Sequence, residues 1–157
     1  MVELKKSIVM KKVKILVTAL VLFTSATAFA NGEENVTQKV QDAFRHDFSG
    51  VNEVSWKKQD VFYFASFTLN NCLVDAAYDE EGQLVGTSRS IRLAQLPLNV
   101  SLQLKKDYDG YQVNDNVLEL NYEGATRYYL TVYNDKQLLK LKALSNGDIT
   151  VESKTKI

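Results

Sequence analysis

Apolar residues fall four apart in two places along the chain. Val36, Val40, Phe44 and Phe48 form the first row, with Ala43 beside it and Gln38, Lys39, Gln41, Asp42 and Arg45 between. Four-residue spacing lines side chains along one helical face, so this row predicts an amphipathic helix with an apolar stripe. Asn35 is the expected N-cap, and Gly50 the left-handed stop. Sixty positions on, Val100, Leu104 and Tyr108 repeat Val40, Phe44 and Phe48, Leu96 extends the row, and Gly110 answers Gly50. Pro97 suits the first turn of this second helix, where its missing N–H would have had no partner.

After each helical row the period drops to two. Val54–Trp56 is a short alternating run, and residues 57–60 make a polar turn. Val61–Leu69 is rich in strand formers. Val61, Tyr63, Ala65, Phe67 and Leu69 share one face, which reads as core-facing; Phe62, Phe64, Ser66 and Thr68 share the other, which reads as half-polar. Asn70-Asn71 is a turn, residues 73–78 a strand, residues 79–82 a hairpin turn closed by Gly82, and residues 84–93 a further strand. After Gly110, strands are predicted over residues 113–122, 126–133, 137–144 and 148–152. The fold class is therefore α+β: two tandem repeats, residues 36–93 and 96–153, each a helix followed by about four antiparallel strands. Connections this short exclude parallel crossovers. Both helices are expected on one face of a continuous sheet, with the opposite face free.

The N-terminus changes the bounds of this picture. Lys11, Lys12 and Lys14 precede an apolar run from Ile15 to Phe23, and Ala28-Phe29-Ala30 follows. These are the parts of a secretory signal peptide over residues 1–30, with Met10 a plausible true start. A membrane anchor is the alternative, but 16 uncharged residues fall short of the roughly 20 that a spanning helix needs. Residues 31–157 then form a single domain. Removal takes five of 19 basic groups and one of 19 acids, leaving fourteen against eighteen, a balance of −4. A mildly acidic chain lacks the basic footprint of a nucleic-acid binder. Cys72 is the sole cysteine, so no intramolecular disulfide forms; it is either buried, the preferred reading, or paired with another chain.

Several phrases in order carry a resemblance. They are the helix ending Phe44 to Phe48, Val54-Ser-Trp56, Tyr63-Phe-Ala-Ser-Phe67, Tyr78-Asp-Glu-Glu-Gly82-Gln-Leu84, and Leu96-Pro97 at the second helix. Together, over about residues 36–151, they resemble the PepSY-like family of exported Bacteroidetes-type proteins, described as similar to β-lactamase inhibitor proteins. The resemblance implies tandem α/β repeats, export and no enzymatic activity, and it supplies no ligand residues. The second half departs from it, having no Trp and Ser145-Asn-Gly147-Asp148 in place of the Tyr-Asp…Gly phrase. β-Lactamase inhibitor proteins grip partners with an exposed concave sheet but are disulfide-bonded, which counts against β-lactamase inhibition here.

No residue set reads as an active site, and no cofactor or metal is implied. His46 is the only histidine and, with Asp42 one turn away, makes at most half a metal site. Ser88 lacks the base and flanking glycines of a nucleophile. Asp107-Tyr-Asp109-Gly110 is a helix end rather than a calcium loop. The aromatic residues are more informative. In Tyr128-Tyr129 the rings point to opposite faces: Tyr128, Leu130 and Val132 read as core, while Arg127, Tyr129, Thr131 and Tyr133 face the other way. Tyr and Arg suit protein interfaces, having apolar area with polar tips. Arg127, Tyr129 and Tyr133 are thus the candidate partner-binding residues. The function expected is an exported, non-catalytic protein-binding or inhibitory module, periplasmic or secreted in a Gram-negative bacterium. Its partner would be an envelope protein or peptide; the alternatives are a small-molecule or metal-ion carrier and a regulator of envelope proteases.

Overall fold

The computed structural model describes residues 36–157, which hold two α-helices and nine strands, an α+β fold. The expected signal peptide, its start at Met10 and the N-cap at Asn35 lie outside the described residues. The described residues divide into two compact units, one up to Ser88 and one from Arg89 to Ile157.

In the first unit, helix α1 (Gln38–Asp47) begins after Thr37, whose Oγ1 accepts the Val40 N–H at 3.4 Å. Thr37 is therefore the cap, and Val36 precedes the helix. Val40 and Phe44 carry the buried stripe, with Val36, Ala43 and Phe48 at its margin. Strands β1 (Val54–Gln59), β2 (Phe62–Leu69) and β3 (Cys72–Tyr78) pair antiparallel in that order. The register sets Trp56 opposite Ala65, Tyr63 opposite Tyr78 and Phe67 opposite Val74. These residues share the face that α1 covers. Around Phe44 stand Phe48, Trp56, Phe67 and Tyr78, with ring centroids 5.1 to 6.4 Å away. The Tyr78 hydroxyl donates to Asp47 Oδ2 at 3.0 Å, tying β3 to the end of the helix. Burial first, then the Asp47 carboxylate, raises the Tyr78 pKa far above its ordinary value, so it stays a donor.

Two expectations fail at the end of this ladder. Leu69 was assigned to the core but is 38% exposed, and Cys72, opposite it, is half-buried rather than buried. Both flank the two-residue turn Asn70-Asn71, whose φ values of +50° and +62° close a tight hairpin where the packed face runs out.

Strand β4 (Leu84–Arg92) carries the chain from the first unit into the second. It stops at Arg92, not Leu93, because the Gln95 side chain accepts the Arg92 N–H at 2.7 Å and residues 93–95 coil into a 3₁₀ turn. Leu96 is buried, Pro97 stands at the N-cap position rather than in the first turn and offers no side-chain cap, and helix α2 (Leu98–Asp107) follows with Val100 and Leu104 buried. Strand β5 (Gln112–Val113) is followed by β6 (Asn116–Tyr122), β7 (Ala125–Tyr133), β8 (Gln137–Leu144) and β9 (Ile149–Lys156). From β6 onward each pairs antiparallel with the next. The core here is Val100 and Leu104 with Val117, Tyr128, Leu130, Val132, Leu139, Leu141 and Ala143. The run 113–122 was expected to be one strand. It breaks because Asn114 Oδ1 takes the Asn116 N–H at 2.9 Å, while Asp115 meets the Leu93 N–H through its carbonyl at 2.8 Å and Arg92 through its carboxylate at 2.6 Å. Both pieces still pair with β7.

Candidate functional site

Alternation along β7 buries Tyr128, Leu130 and Val132 on the helix side and turns Arg127, Tyr129, Thr131 and Tyr133 the other way. The three candidate residues therefore lie on one strand and one face. Tyr133 is the most open at 37% exposure, and Tyr129 is half-buried between Leu118 and Lys142 on the flanking strands. Burial raises the Tyr129 pKa against the pull of nearby Lys142 and Arg127, with Glu152 adding to the rise; its hydroxyl is a hydrogen-bond donor at neutral pH. Lys142 is itself paired with Glu152 at 2.8 Å. Arg127 is partly engaged: Nη1 donates to the carbonyls of Tyr122 at 3.0 Å and Ala125 at 3.4 Å, and the guanidinium stands 5.9 Å from the Tyr122 ring centroid. It stiffens the β6–β7 hairpin beside the tyrosines.

The face opposite the helices was expected to be free; in each unit part of it is buried. In the second, Leu118, Leu120 and Tyr122 lie on it and are buried, Leu120 completely. In the first, Phe62, Phe64 and Ala77 are buried on it. A run apolar on both sides, Phe62-Tyr-Phe-Ala65, fits a strand covered on both faces better than a half-polar one. What reaches water at least in part is Arg127, Tyr129, Thr131 and Tyr133 on β7 with Leu138, Lys140, Lys142 and Leu144 on β8, and in the first unit Ser55, Lys57, Ser66, Thr68 and Leu73.

Next to Phe64 lies a polar group not foreseen as a site. Ser66 and Asp75 face each other across β2 and β3, and Ser66 Oγ donates to Asp75 Oδ1 at 2.5 Å. Asp75 is 7% exposed. Burial raises its pKa, and the Ser66 and Ser88 hydroxyls only partly oppose the rise. Ser88, taken from sequence for an ordinary strand residue, is 1% exposed, and its Oγ reaches no partner at hydrogen-bond geometry. The one sequence signal was Asp75 itself, a charge at a core-like strand position.

This pKa shift fixes a pH dependence. A carboxyl whose folded pKa exceeds its unfolded one binds its proton more tightly when folded. Its contribution to stability is thus full below the unfolded pKa, near 3.9, and is lost as pH rises through the folded value. Asp75→Asn is accordingly expected to stabilise the protein at pH 7 by about 1 kcal/mol, the scale of a relieved buried polar group. The gain should vanish as the pH falls toward 4. Urea denaturation of both proteins at several pH values measures it, and a variant weaker at pH 7 would contradict it.

The remaining candidates lie apart from this face. His46 is on the exposed side of α1, its Nδ1 3.0 Å from Asp47 Oδ1. No group of three or more His, Cys, Asp and Glu poised for a metal occurs among the described residues. Asp109 borders an open cleft of about 270 Å³ with Leu93, Leu104, Tyr108 and Tyr111. No helix among the described residues is long and apolar enough to cross a membrane.

Antiparallel strands backed by helices in this order are seen in solved structures. The chain is similar to a BLIP-like protein from Bacteroides fragilis, 21% identical, at a TM-score of 0.63 over 77% of this chain and 86% of that one. It is similar to a DUF2874 family protein from Bacteroides ovatus, 22% identical, with a TM-score of 0.63 over 76% and 86%. A third, from Bacteroides eggerthii and described as a candidate periplasmic protein, is 16% identical with a TM-score of 0.64 over 77% and 88%. At these identities the likeness is one of fold, and none of the three descriptions names an enzyme. No family model matches the chain, and no curated protein does.

Proposed function

We propose that this chain is an exported, non-catalytic protein-binding or inhibitory module of the cell envelope, periplasmic or secreted, of PepSY-like type. The observation that carries this is a tyrosine-bearing strand face on a BLIP-like fold. The face consists of Tyr129 and Tyr133, stiffened by Arg127, beside Lys140 and Lys142. Support for export comes from the basic, apolar and Ala-Phe-Ala segments of residues 11–30 and from the neighbour described as a candidate periplasmic protein.

We also infer that the two units are tandem copies of one plan. Val40 and Phe44 correspond to Val100 and Leu104, each helix being followed by a positive-φ glycine at Gly50 and Gly110. In each unit a later hairpin glycine approaches the first turn of the helix, Gly82 at Lys39 and Gly147 at Asn99. Lys39 and Asn99 are again sixty positions apart.

Immobilised protein exposed to periplasmic extract of the source bacterium is expected to retain a specific protein. The double variant Tyr129→Ala, Tyr133→Ala should release most of it, since truncating two central aromatic contacts removes about 2 kcal/mol or more each where they anchor an interface. Equal retention by the variant would move the interface elsewhere. A carrier role would instead use the cleft at Tyr108 and Tyr111, and calorimetry with haem, calcium and zinc distinguishes it. A protease regulator would slow cleavage by a co-encoded protease.

A further inference from the structure

We propose that Lys140, with the Tyr129 and Tyr133 hydroxyls as its diagonal neighbours, is the subsite at which this face takes a carboxylate from an acidic side chain of its protein partner. The inference rests on the partner-binding role proposed for the face and names what the partner must present there.

The cations of this face are unequally engaged. Lys142 holds Glu152 at 2.8 Å. Arg127 directs Nη1 to the Tyr122 and Ala125 carbonyls, beside the Tyr122 ring, whose hydroxyl donates to Glu123 at 3.1 Å. Lys140 is exposed and makes no ion pair or hydrogen bond among the described residues. The Tyr129 and Tyr133 hydroxyls likewise make no hydrogen bond among them. An ammonium and two phenolic donors therefore stand on one face without a protein acceptor. An ionised carboxylate only accepts, through two oxygens, and complements such a set.

Strand register brings the three together. Lys140 pairs with Thr131, so Tyr129 and Tyr133 are its diagonal neighbours across β7 and β8. Diagonal partners lie about 7–8 Å apart, within reach of long and aromatic side chains. The charged groups acting on the Tyr129 hydroxyl are Lys142, Glu152 and Arg127, two cations against one anion, so an incoming carboxylate meets net positive charge before Lys140 is counted. The surroundings are apolar: Leu138 opposite Tyr133 and Leu144 opposite Arg127 are half-buried, and Leu118 opposite Tyr129 is buried. One unpaired cation among tyrosines and leucines fits a single carboxylate carried between apolar side chains, as on a protein surface. A polyanion gains by engaging several cations at once, and here Lys142 and Arg127 are already engaged.

The test titrates the full chain with the capped peptide acetyl-Leu-Glu-Leu-amide, following the amide resonances of Tyr129, Thr131, Tyr133 and Lys140. Saturable shifts are expected at these four. Acetyl-Leu-Gln-Leu-amide on the parent, or the Glu peptide on Lys140→Ala, should bind about tenfold more weakly, the scale of a lost hydrogen bond to a charged group. Lys140 is exposed, so the alanine variant should melt as the parent does. The proposal is overturned if the Glu peptide gives no saturable shifts, or if the Gln peptide or the variant matches the parent with the Glu peptide. It is also overturned if trigalacturonate binds more tightly than the peptide, which would mark a polysaccharide site. The periplasmic retention experiment separates this failure from that of the face. A protein released by the double variant Tyr129→Ala, Tyr133→Ala but held undiminished by Lys140→Ala would keep the interface and overturn the carboxylate subsite alone. Retention unchanged by both variants would overturn the face and the subsite together.

Discussion

Replacing Phe44 by aspartate is expected to unfold the first unit. Phe44 is 3% exposed, and its ring meets four others, three of them edge-on at 5.1 to 6.4 Å. The milder Phe44→Ala removes the ring and leaves a cavity, a loss of roughly 3–5 kcal/mol. Aspartate adds an unpaired charge in the same place, where desolvation costs several kcal/mol more unless the group takes a proton. Against a domain stability of about 5–15 kcal/mol, the alanine variant should survive weakened and the aspartate variant should not. Near-ultraviolet circular dichroism is a direct readout, because Trp56 stands 5.3 Å from Phe44 and reports on its packing. A folded aspartate variant with unchanged melting would mean that α1 does not seat on this face. Amide exchange across β1–β3 adds a local readout, since those strands lean on Phe44 and should lose protection together.

Phe44 also marks how much of the fold is legible in sequence. Its row of four-spaced apolar residues has a single physical reading, and the face it requires, Tyr63, Ala65 and Phe67, followed from alternation alone. The misses share a cause. Side-chain hydrogen bonds decide where elements stop, and periodicity carries no trace of them. Thr37 caps where Asn35 was expected, Gln95 ends β4, and Asn114 breaks a strand whose apolar pattern runs straight through. Leu69 kept its phase but sits where the packed face ends.

The candidate site was legible in part. Tyr129 and Tyr133 share a face with Arg127 because alternation dictates it, but Arg127's bonds to the Tyr122 and Ala125 carbonyls follow from hairpin geometry. The Ser66, Asp75 and Ser88 cluster could not be assembled from sequence. Ser66 and Asp75 meet only through the pairing of β2 with β3, and the Ser88 hydroxyl carries no signature until it is found buried.

Gly82→Ala is expected to be the costliest of the conservative turn substitutions. Gly82 has φ +74°, a region in which a side chain costs roughly 1–2 kcal/mol. An added Cβ would also stand 3.1 Å from the Lys39 carbonyl oxygen and 3.5 Å from Ala43 Cβ, both on α1. The oxygen belongs to helical backbone and cannot swing aside, so the hairpin or the helix must shift. Gly50, at φ +92°, has nothing within 4 Å of the corresponding position, so Gly50→Ala bears the backbone penalty alone. The expected losses are about 3 kcal/mol at Gly82 against about 1 at Gly50, read from urea denaturation midpoints. Equal losses would place the whole effect in φ and leave the approach of hairpin to helix without energetic weight. Gly147, whose Cβ would meet the Asn99 carbonyl oxygen at a looser 3.4 Å, should fall between them. That ordering bears on the tandem plan: only if Gly82 and Gly147 both exceed Gly50 does the same hairpin-under-helix contact seat α1 and α2 alike.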